Sequence, residues 1–161
     1  MVECICSFGE ETMENTVKEE FELPMPAGLL LPHRAPMLLV DSLQECNSER
    51  AVVLARLPEK GIFFAGDQFL PEFFVELIAQ AAALQNGFIA LSAGKPLHDG
   101  MLVGLEDFSL NKNGHGGERL RVVVEKTFEF GAISFLKGEV FSNEDLLATG
   151  NLKVWEDLKK P

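Results

Sequence analysis

Residues 71–91 have the sequence PEFFVELIAQAAALQNGFIAL, and this stretch decides the fold class. The leading proline suits a first helical turn, and Glu72 beside it favours the positive end of the helix dipole. Apolar side chains continue around nearly the whole predicted helix, with Glu76, Gln80 and Gln85 among the few polar residues inside it. A helix of this kind needs protein on every side, so the pattern predicts a buried core helix and not a membrane span.

The segments on either side of this helix have the pattern of β-strands, two before it and four after it. Consecutive strands with short links form antiparallel meanders, so the order predicts an α+β domain in which a curled antiparallel sheet wraps around one long central helix. One sheet cannot cover so apolar a helix completely, and a homodimer with a continuous sheet would complete the burial. The predicted strands are residues 37–43, 48–57, 101–108, 119–128, 133–141 and 146–155.

Length and charge limit the other possibilities. The 161 residues suit one domain over residues 29–157, and the glutamate-rich residues 1–28 are predicted to form a partly disordered acidic leader. The formal net charge of −11 argues against nucleic acid and an anionic membrane surface as partners. The same charge disfavours an acidic carrier protein, unless arginine and lysine side chains gather locally.

The cysteines and the N-terminus predict a reduced, cytoplasmic protein. Cys4, Cys6 and Cys46 make no disulfide framework in a chain of this length, and the first residues lack the basic-then-apolar order of a signal peptide. The three cysteines and three histidines share no short metal-ligand spacing, so no metal site is expected.

Two polar positions are candidates for chemistry. Glu76 lies in mid-helix among apolar neighbours, where carboxylates are rarely left unpaired, and Gln80 lies one turn further on the same face. His33 lies between two prolines in a rigid, extended loop, where it could carry a proton. At this point the alternatives stay open: Glu76 could reach solvent from a helix edge, and His33 and Arg34 could tie the loop to backbone carbonyls.

Phenylalanine dominates the aromatic residues, with 13 Phe against one Trp and no Tyr. These rings offer apolar area without a hydrogen-bonding group, which suits an apolar pocket or an ordinary core equally well. The residues expected to contact an apolar substrate are Phe63, Phe64, Phe69, Phe73 and Gln80, with Phe74 as a further ring of the same group.

Three segments together resemble the FabZ-type 3-hydroxyacyl-ACP dehydratases, over about residues 29–156. Residues 31–41, LPHRAPMLLVD, are similar to that family's L-P-H-R-x-P-x-L-L-V-D opening. Residues 76–82, ELIAQAA, are similar to its E-x-x-A-Q-A-A helix. Matches to the family's last strands follow in order at residues 117–120, 125–127 and 135–138.

The resemblance implies a hotdog fold that pairs into dimers, which can assemble further as a trimer of dimers. It also implies removal of water from a 3-hydroxyacyl chain on acyl carrier protein, without a cofactor. In the family a glutamate and a histidine from different subunits do this, and a backbone N–H near the helix start polarises the thioester carbonyl. Glu76 corresponds to the family's glutamate, while the carrier, acyl carrier protein or coenzyme A, stays open.

Two departures from the family pattern concern the same site. The family's histidine comes from a G-H-F-P stretch before the helix, where this chain has GIFFAG at residues 61–66. Pro71 stands at the position of the family's glycine and has no N–H to donate. With these departures the chain is similar to the FabZ-like dehydratases of aryl-polyene pathways. Because the family's histidine is missing, His33, or else Asp67, becomes the candidate second catalytic group.

The sequence therefore predicts a 3-hydroxyacyl-ACP dehydratase of fatty-acid or aryl-polyene type biosynthesis, with Glu76 and His33 as catalytic residues. Two alternatives stay open. A hotdog thioesterase needs only a carboxylate and an N–H donor. A non-catalytic acyl-thioester-binding protein, or partner subunit of a dehydratase, needs only the apolar tunnel.

Overall fold

The computed structural model describes residues 21–66, 68–97 and 99–157. Each predicted strand has a counterpart within three residues of its expected limits, and the helix extends one residue beyond its expected end. In chain order the elements are β1 (Met25–Pro26), β2 (Val40–Cys46), β3 (Arg50–Arg56), β4 (Phe64–Ala65), β5 (Gln68–Phe69), α1 (Pro71–Ser92), β6 (Gly100–Leu110), β7 (Arg119–Phe130), β8 (Ile133–Ser142) and β9 (Asp145–Glu156).

Seven strands form one antiparallel sheet in the order β1-β2-β3-β7-β8-β9-β6. Strands β4 and β5 pair separately, just before the helix. Helix α1 packs on the inner face of the sheet, against β2, β3, β7 and β8. This confirms the predicted α+β hotdog architecture, a curled sheet wrapped around one long central helix.

The helix is the centre of the core, as its composition predicted. By length and composition alone it could cross a membrane, yet its apolar side chains are packed inside the domain. The side chains of α1 that have no exposed surface include Phe73, Phe74, Leu77, Ile78, Ala81, Ala82 and Leu84.

Gly138 of β8 lies directly against the middle of α1. A Cβ built on Gly138 would lie 2.0 Å from Cγ2 of Ile78 and 3.1 Å from its Cβ. The absence of a side chain at this position therefore lets β8 press directly onto the middle of the helix.

Core packing begins before the boundary that was expected at Leu29. Met25 pairs with Leu43 of β2, and the side chains of Met25 and Ala27 are buried in the core. Pro24 and Pro26 alone would predict a break in the chain. Pro26 instead lies in the short strand β1, and a 3-10 turn at Ala27–Leu29 follows it. The acidic leader over residues 1–20 lies outside the described residues and stays a prediction.

Strand β2 begins at Val40, three residues after its expected start. The backbone N–H groups of Met37 and Leu38 both donate to the carbonyl of Arg34, which makes a turn of the segment that was expected to be strand. The turn belongs to the loop that carries His33.

Candidate active site

Gln80 of α1 is a fully buried amide that anchors the loop before β2. Its Oε1 accepts a hydrogen bond from the Leu39 N–H at 2.9 Å, and its Nε2 donates to the Met37 carbonyl at 2.6 Å. The same Nε2 donates to Oε1 of Glu76 at 2.8 Å. One side chain therefore fixes both the Glu76 carboxylate and the loop that carries His33.

Glu76 and His33 lie side by side within one chain. Nε2 of His33 is 3.9 Å from Oε1 of Glu76, beyond hydrogen-bond range but close enough for an ionic contact when the imidazole is protonated. The side chain of Glu76 is 31% exposed and that of His33 is 36% exposed. The apolar sequence neighbours of Glu76 suggested that its carboxylate is closed into the core. In the structure the carboxylate is instead open to a ligand at one side.

Arg34, not His33, ties the loop to the backbone. Its guanidinium donates to the carbonyls of Leu31 at 2.9 Å and of His33 at 2.7 Å. Nδ1 of His33 is buried and has no hydrogen-bond partner among the described residues. The described residues therefore offer the imidazole no hydrogen bond that would give it a structural role.

The start of α1 offers a backbone donor next to the proline. Pro71 is the first helical residue and has no N–H. The N–H of Phe73 donates to the Leu70 carbonyl at 3.0 Å. Glu72 is therefore the first residue of the helix with an N–H, and a helix leaves a donor at this position without an intrahelical acceptor.

The phenylalanines near the helix start pack against one another. Ring centroids are 5.5 Å apart for Phe63 and Phe73, 4.3 Å for Phe64 and Phe69, and 5.6 Å for Phe69 and Phe73. Phe73 and Phe74 have no exposed surface, whereas Phe63 and Phe64 are partly buried. The rings therefore fill the end of the core, and Phe63 and Phe64 retain some exposed apolar surface.

Neither of two surface cavities contains the Glu76–His33 pair. One of about 350 Å³ is lined by residues that include Lys60, Phe64 and His115. Another of about 310 Å³ lies on the outer face of the sheet. Asp67, the other candidate for the second catalytic group, lies outside the described residues, as does His98.

The described residues hold no group of three His, Cys, Asp or Glu side chains that could bind a metal ion. Cys46 is half-buried, and burial raises the pKa of its thiol to about 11. The thiol is therefore protonated at neutral pH, which makes it a poor nucleophile. Cys4 and Cys6 lie outside the described residues.

Comparison with known proteins places the chain in a family. Residues 25–160 match the family model described as ApeP-like, ApeP dehydratase. The chain belongs to the ApeP-like dehydratase family. A FabZ 3-hydroxyacyl-[acyl-carrier-protein] dehydratase of Streptococcus pneumoniae is 30% identical over 128 residues, which are 76% of this chain and 89% of that protein. The FabZ of Syntrophobacter fumaroxidans is 29% identical over 134 residues, 74% of this chain and 87% of that protein.

Solved structures agree on the fold. One is the dehydratase heterocomplex ApeI:P from Xenorhabdus doucetiae, with a TM-score of 0.75 and 21% identity over 84% of this chain and 93% of that chain. An uncharacterized protein from Pyrococcus horikoshii has a TM-score of 0.61 and 15% identity over 86% of this chain and 97% of that chain. The resemblance to a divergent branch of the FabZ-like dehydratases and the hotdog fold are both confirmed for this ApeP-like chain.

Gln80 also yields a prediction for stability. Gln80→Leu leaves the Leu39 N–H and the Met37 carbonyl unpaired, so we expect it to lower the free energy of unfolding by about 2–4 kcal/mol, measured by urea denaturation. Gln85→Leu is the matched control, because Gln85 is equally buried but donates only to the Asn47 carbonyl and its Oε1 has no partner in the described chain. Equal losses in the two variants would show that Gln80 has no special role as an anchor.

Proposed function

We propose that this ApeP-like chain removes water from 3-hydroxyacyl thioesters, with Glu76 and His33 of the same chain as its acid–base pair. The observation that carries the proposal is the 3.9 Å separation of His33 Nε2 and Glu76 Oε1. Dehydration needs a base for the C2 proton and an acid for the C3 hydroxyl. Because C2 and C3 are adjacent carbons, two groups a few ångströms apart suit both transfers.

The surroundings of the pair support this chemistry. Gln80 occupies Oε1 of Glu76 and fixes the carboxylate, and no contact of Oε2 competes with a substrate among the described residues. The Glu72 N–H is our candidate for the donor that polarises the thioester carbonyl, in place of the one that Pro71 lacks. Phe63 and Phe64 are the candidate contacts for the acyl chain, and Phe69, Phe73 and Gln80 would support them from the core side.

A turnover assay tests the function. The chain is incubated with 3-hydroxyacyl, trans-2-enoyl and saturated acyl thioesters, and products are followed by mass spectrometry and by release of free thiol. Interconversion of the first two substrates is expected, with no thiol released. Thiol release would instead indicate a thioesterase, and inertness towards all three would indicate a non-catalytic partner subunit.

We infer further that two chains pair along β6. This strand is an edge of the sheet, and its unpaired backbone groups form a template for another strand. Leu102 and Leu105 of β6 lie opposite the core residues Val154 and Leu152, yet they are 39% and 41% exposed. Apolar side chains on the inner face of an edge favour continuation of the core into a second subunit. A homodimer with one continuous sheet follows, able to assemble further as a trimer of dimers.

Leu102→Lys/Leu105→Lys is expected to convert the dimer into monomers, because two charges would enter the shared core. Light scattering coupled to size exclusion measures the mass. Leu54→Lys is the control, since Leu54 is also 39% exposed but lies on β3, away from this edge. A wild-type chain that is monomeric alone and dimeric only with a second protein would exclude the homodimer and favour a heterocomplex, as the Xenorhabdus doucetiae neighbour is described.

The FabZ relatives are named as dehydratases of acyl-carrier-protein substrates, and on this basis we propose a place in fatty-acid or aryl-polyene type biosynthesis. A cytoplasmic location is proposed with it. No nucleic acid or membrane partner is proposed for a chain of net charge −11.

A further inference from the structure

Arg34 holds the segment that carries His33. Among the described residues, every hydrogen bond that residues 32–36 make has Arg34 as its donor or its acceptor. Its Nη1 donates to the Leu31 carbonyl at 2.9 Å and to the His33 carbonyl at 2.7 Å. Its own carbonyl accepts from two N–H groups of the following turn, at 2.9 Å and 3.1 Å. The backbone on both sides of His33 is therefore fixed through one residue.

The neighbours of His33 offer little else to fix this backbone. Pro32 and Pro36 have no N–H to donate. Ala35 precedes a proline, which biases it towards extended backbone and away from a helical turn. Strand β2 begins only at Val40, and none of the described strands pairs with the segment. A side chain has to supply the hydrogen bonds, and within the described chain that side chain is Arg34.

The imidazole of His33 has no hydrogen bond of its own to orient it within the described residues. Its Nδ1 is buried without a partner, and its Nε2 is 3.9 Å from Oε1 of Glu76, beyond hydrogen-bond range. The position of the ring therefore follows from the position of the His33 backbone. A shift of that backbone moves the ring relative to the carboxylate.

Glu76 is anchored independently of Arg34. Its Oε1 accepts a hydrogen bond from Nε2 of Gln80, which also donates to the Met37 carbonyl. The carboxylate and the far end of the loop therefore keep their anchor in α1 when the guanidinium is removed, whereas the segment around His33 loses its donor. Of the two groups in the pair, only the histidine depends on Arg34.

Stability does not account for this use of an arginine. Arg34 is exposed, and no carboxylate of the described residues lies within 4.0 Å of its guanidinium. Its hydrogen bonds to two carbonyls contribute modestly to folding, and the entropy lost in holding a long side chain in one conformation opposes them. A role in placing the His33 backbone explains why the guanidinium is nevertheless directed at these carbonyls.

We propose that Arg34 is a positioning residue for the acid–base pair, which holds the backbone of His33 so that its imidazole stays beside the Glu76 carboxylate. This inference rests on the proposed function and deepens it, because it assigns a role to a side chain that does not itself exchange a proton with the substrate. The role can have a large effect on rate, since a misplacement of about 1 Å can slow a reaction by about 10²-fold.

Steady-state kinetics with 3-hydroxyacyl pantetheine thioesters test this role. Arg34→Met keeps the length of the side chain without its donors, and we expect it to lower kcat by about 10- to 100-fold while KM changes by less than about twofold. Arg34→Lys restores N–H donors on a side chain of similar length and should recover kcat to within about threefold of wild type. Arg56→Met is the control and should leave kcat unchanged, because Arg56 also donates to a backbone carbonyl, that of Gly117 at 3.0 Å, but belongs to β3.

A double variant shows whether Arg34 acts through His33. His33→Ala/Arg34→Met should have the same kcat as His33→Ala, since the effects of residues that act as a unit are not additive. Losses that multiply in the double variant would overturn the inference, because Arg34 would then act independently of the imidazole. A raised KM with unchanged kcat in Arg34→Met would overturn it as well, since the guanidinium would then be a substrate-binding group.

Nuclear magnetic resonance of the imidazole rings provides a readout that needs no turnover. The chain has three histidines, and the signals of His33 are those missing from His33→Ala. Glu76→Gln should shift the ring nitrogen signals of His33 in the wild-type background, and by at most about half as much in the Arg34→Met background, because the influence of a charge falls with distance. Equal shifts in the two backgrounds would contradict the proposed placement. If the wild-type chain turns over no thioester, a reduced shift in Arg34→Met still supports the placement of His33, and the dehydratase proposal alone is contradicted.

Discussion

Glu76→Gln is expected to lower kcat/KM for 3-hydroxyacyl thioesters by about 10³-fold while the fold stays intact. The substituted amide keeps the size of the carboxylate and an oxygen for the hydrogen bond from Gln80, but it cannot exchange a proton at neutral pH. Product formation by mass spectrometry measures the rate, and far-UV circular dichroism with urea unfolding checks the fold. Glu125→Gln, which removes a carboxylate on the outer face of β7, is the control and should retain wild-type activity.

His33→Ala is the companion variant, and a loss of about 10²-fold or more is expected if its imidazole is the second acid–base group. Full activity in His33→Ala, together with a large loss in Glu76→Gln, would move that role to another residue. Asp67→Asn then becomes the next variant to measure. Wild-type activity in Glu76→Gln would contradict the proposed mechanism as a whole.

The parts of the fold that repeat a local pattern were predictable from the sequence. Helix α1 and the strands after it carry their own periodicity, and turn residues separate the strands. β1 has only two residues and no periodicity of its own, so the sequence did not predict it. Its existence depends on pairing with β2, a tertiary contact. The prolines beside Met25 pointed to a break because local propensity was the only available guide there.

The contacts of the candidate site also divide into those that local spacing predicts and those that depend on tertiary structure. Glu76 and Gln80 are four residues apart on one helix, so their contact was predictable from helical spacing alone. The distance from His33 to Glu76 was not predictable from the sequence. It depends on the hydrogen bonds between the Gln80 side chain and the backbone of Met37 and Leu39, which are tertiary contacts.

Gly138→Ala is expected to lower the free energy of unfolding by about 3 kcal/mol, the upper range for overpacking a core. The added methyl group would lie 2.0 Å from Cγ2 of Ile78, whose β-branched side chain has little rotamer freedom in a helix. The backbone cannot easily retreat either, because Gly138 is paired with Val124 of β7 on one side and with Gly150 of β9 on the other. Urea unfolding of the two proteins measures the difference.

The cause of that loss can be isolated by a double-mutant cycle. Ile78→Ala alone should cost about 2–4 kcal/mol, since it leaves a cavity in the core. In Gly138→Ala/Ile78→Ala the new methyl group enters the space that Ile78 vacates, so the total loss should be at least about 1 kcal/mol smaller than the sum of the single losses. Gly28→Ala, whose added methyl group would have no atom within 4 Å, is the control for the intrinsic effect of replacing glycine. If the losses in unfolding free energy of the two core variants are strictly additive, the backbone of β8 moves away at Gly138 to make room for the methyl group. Contact with the helix would then not be the reason that glycine is needed there.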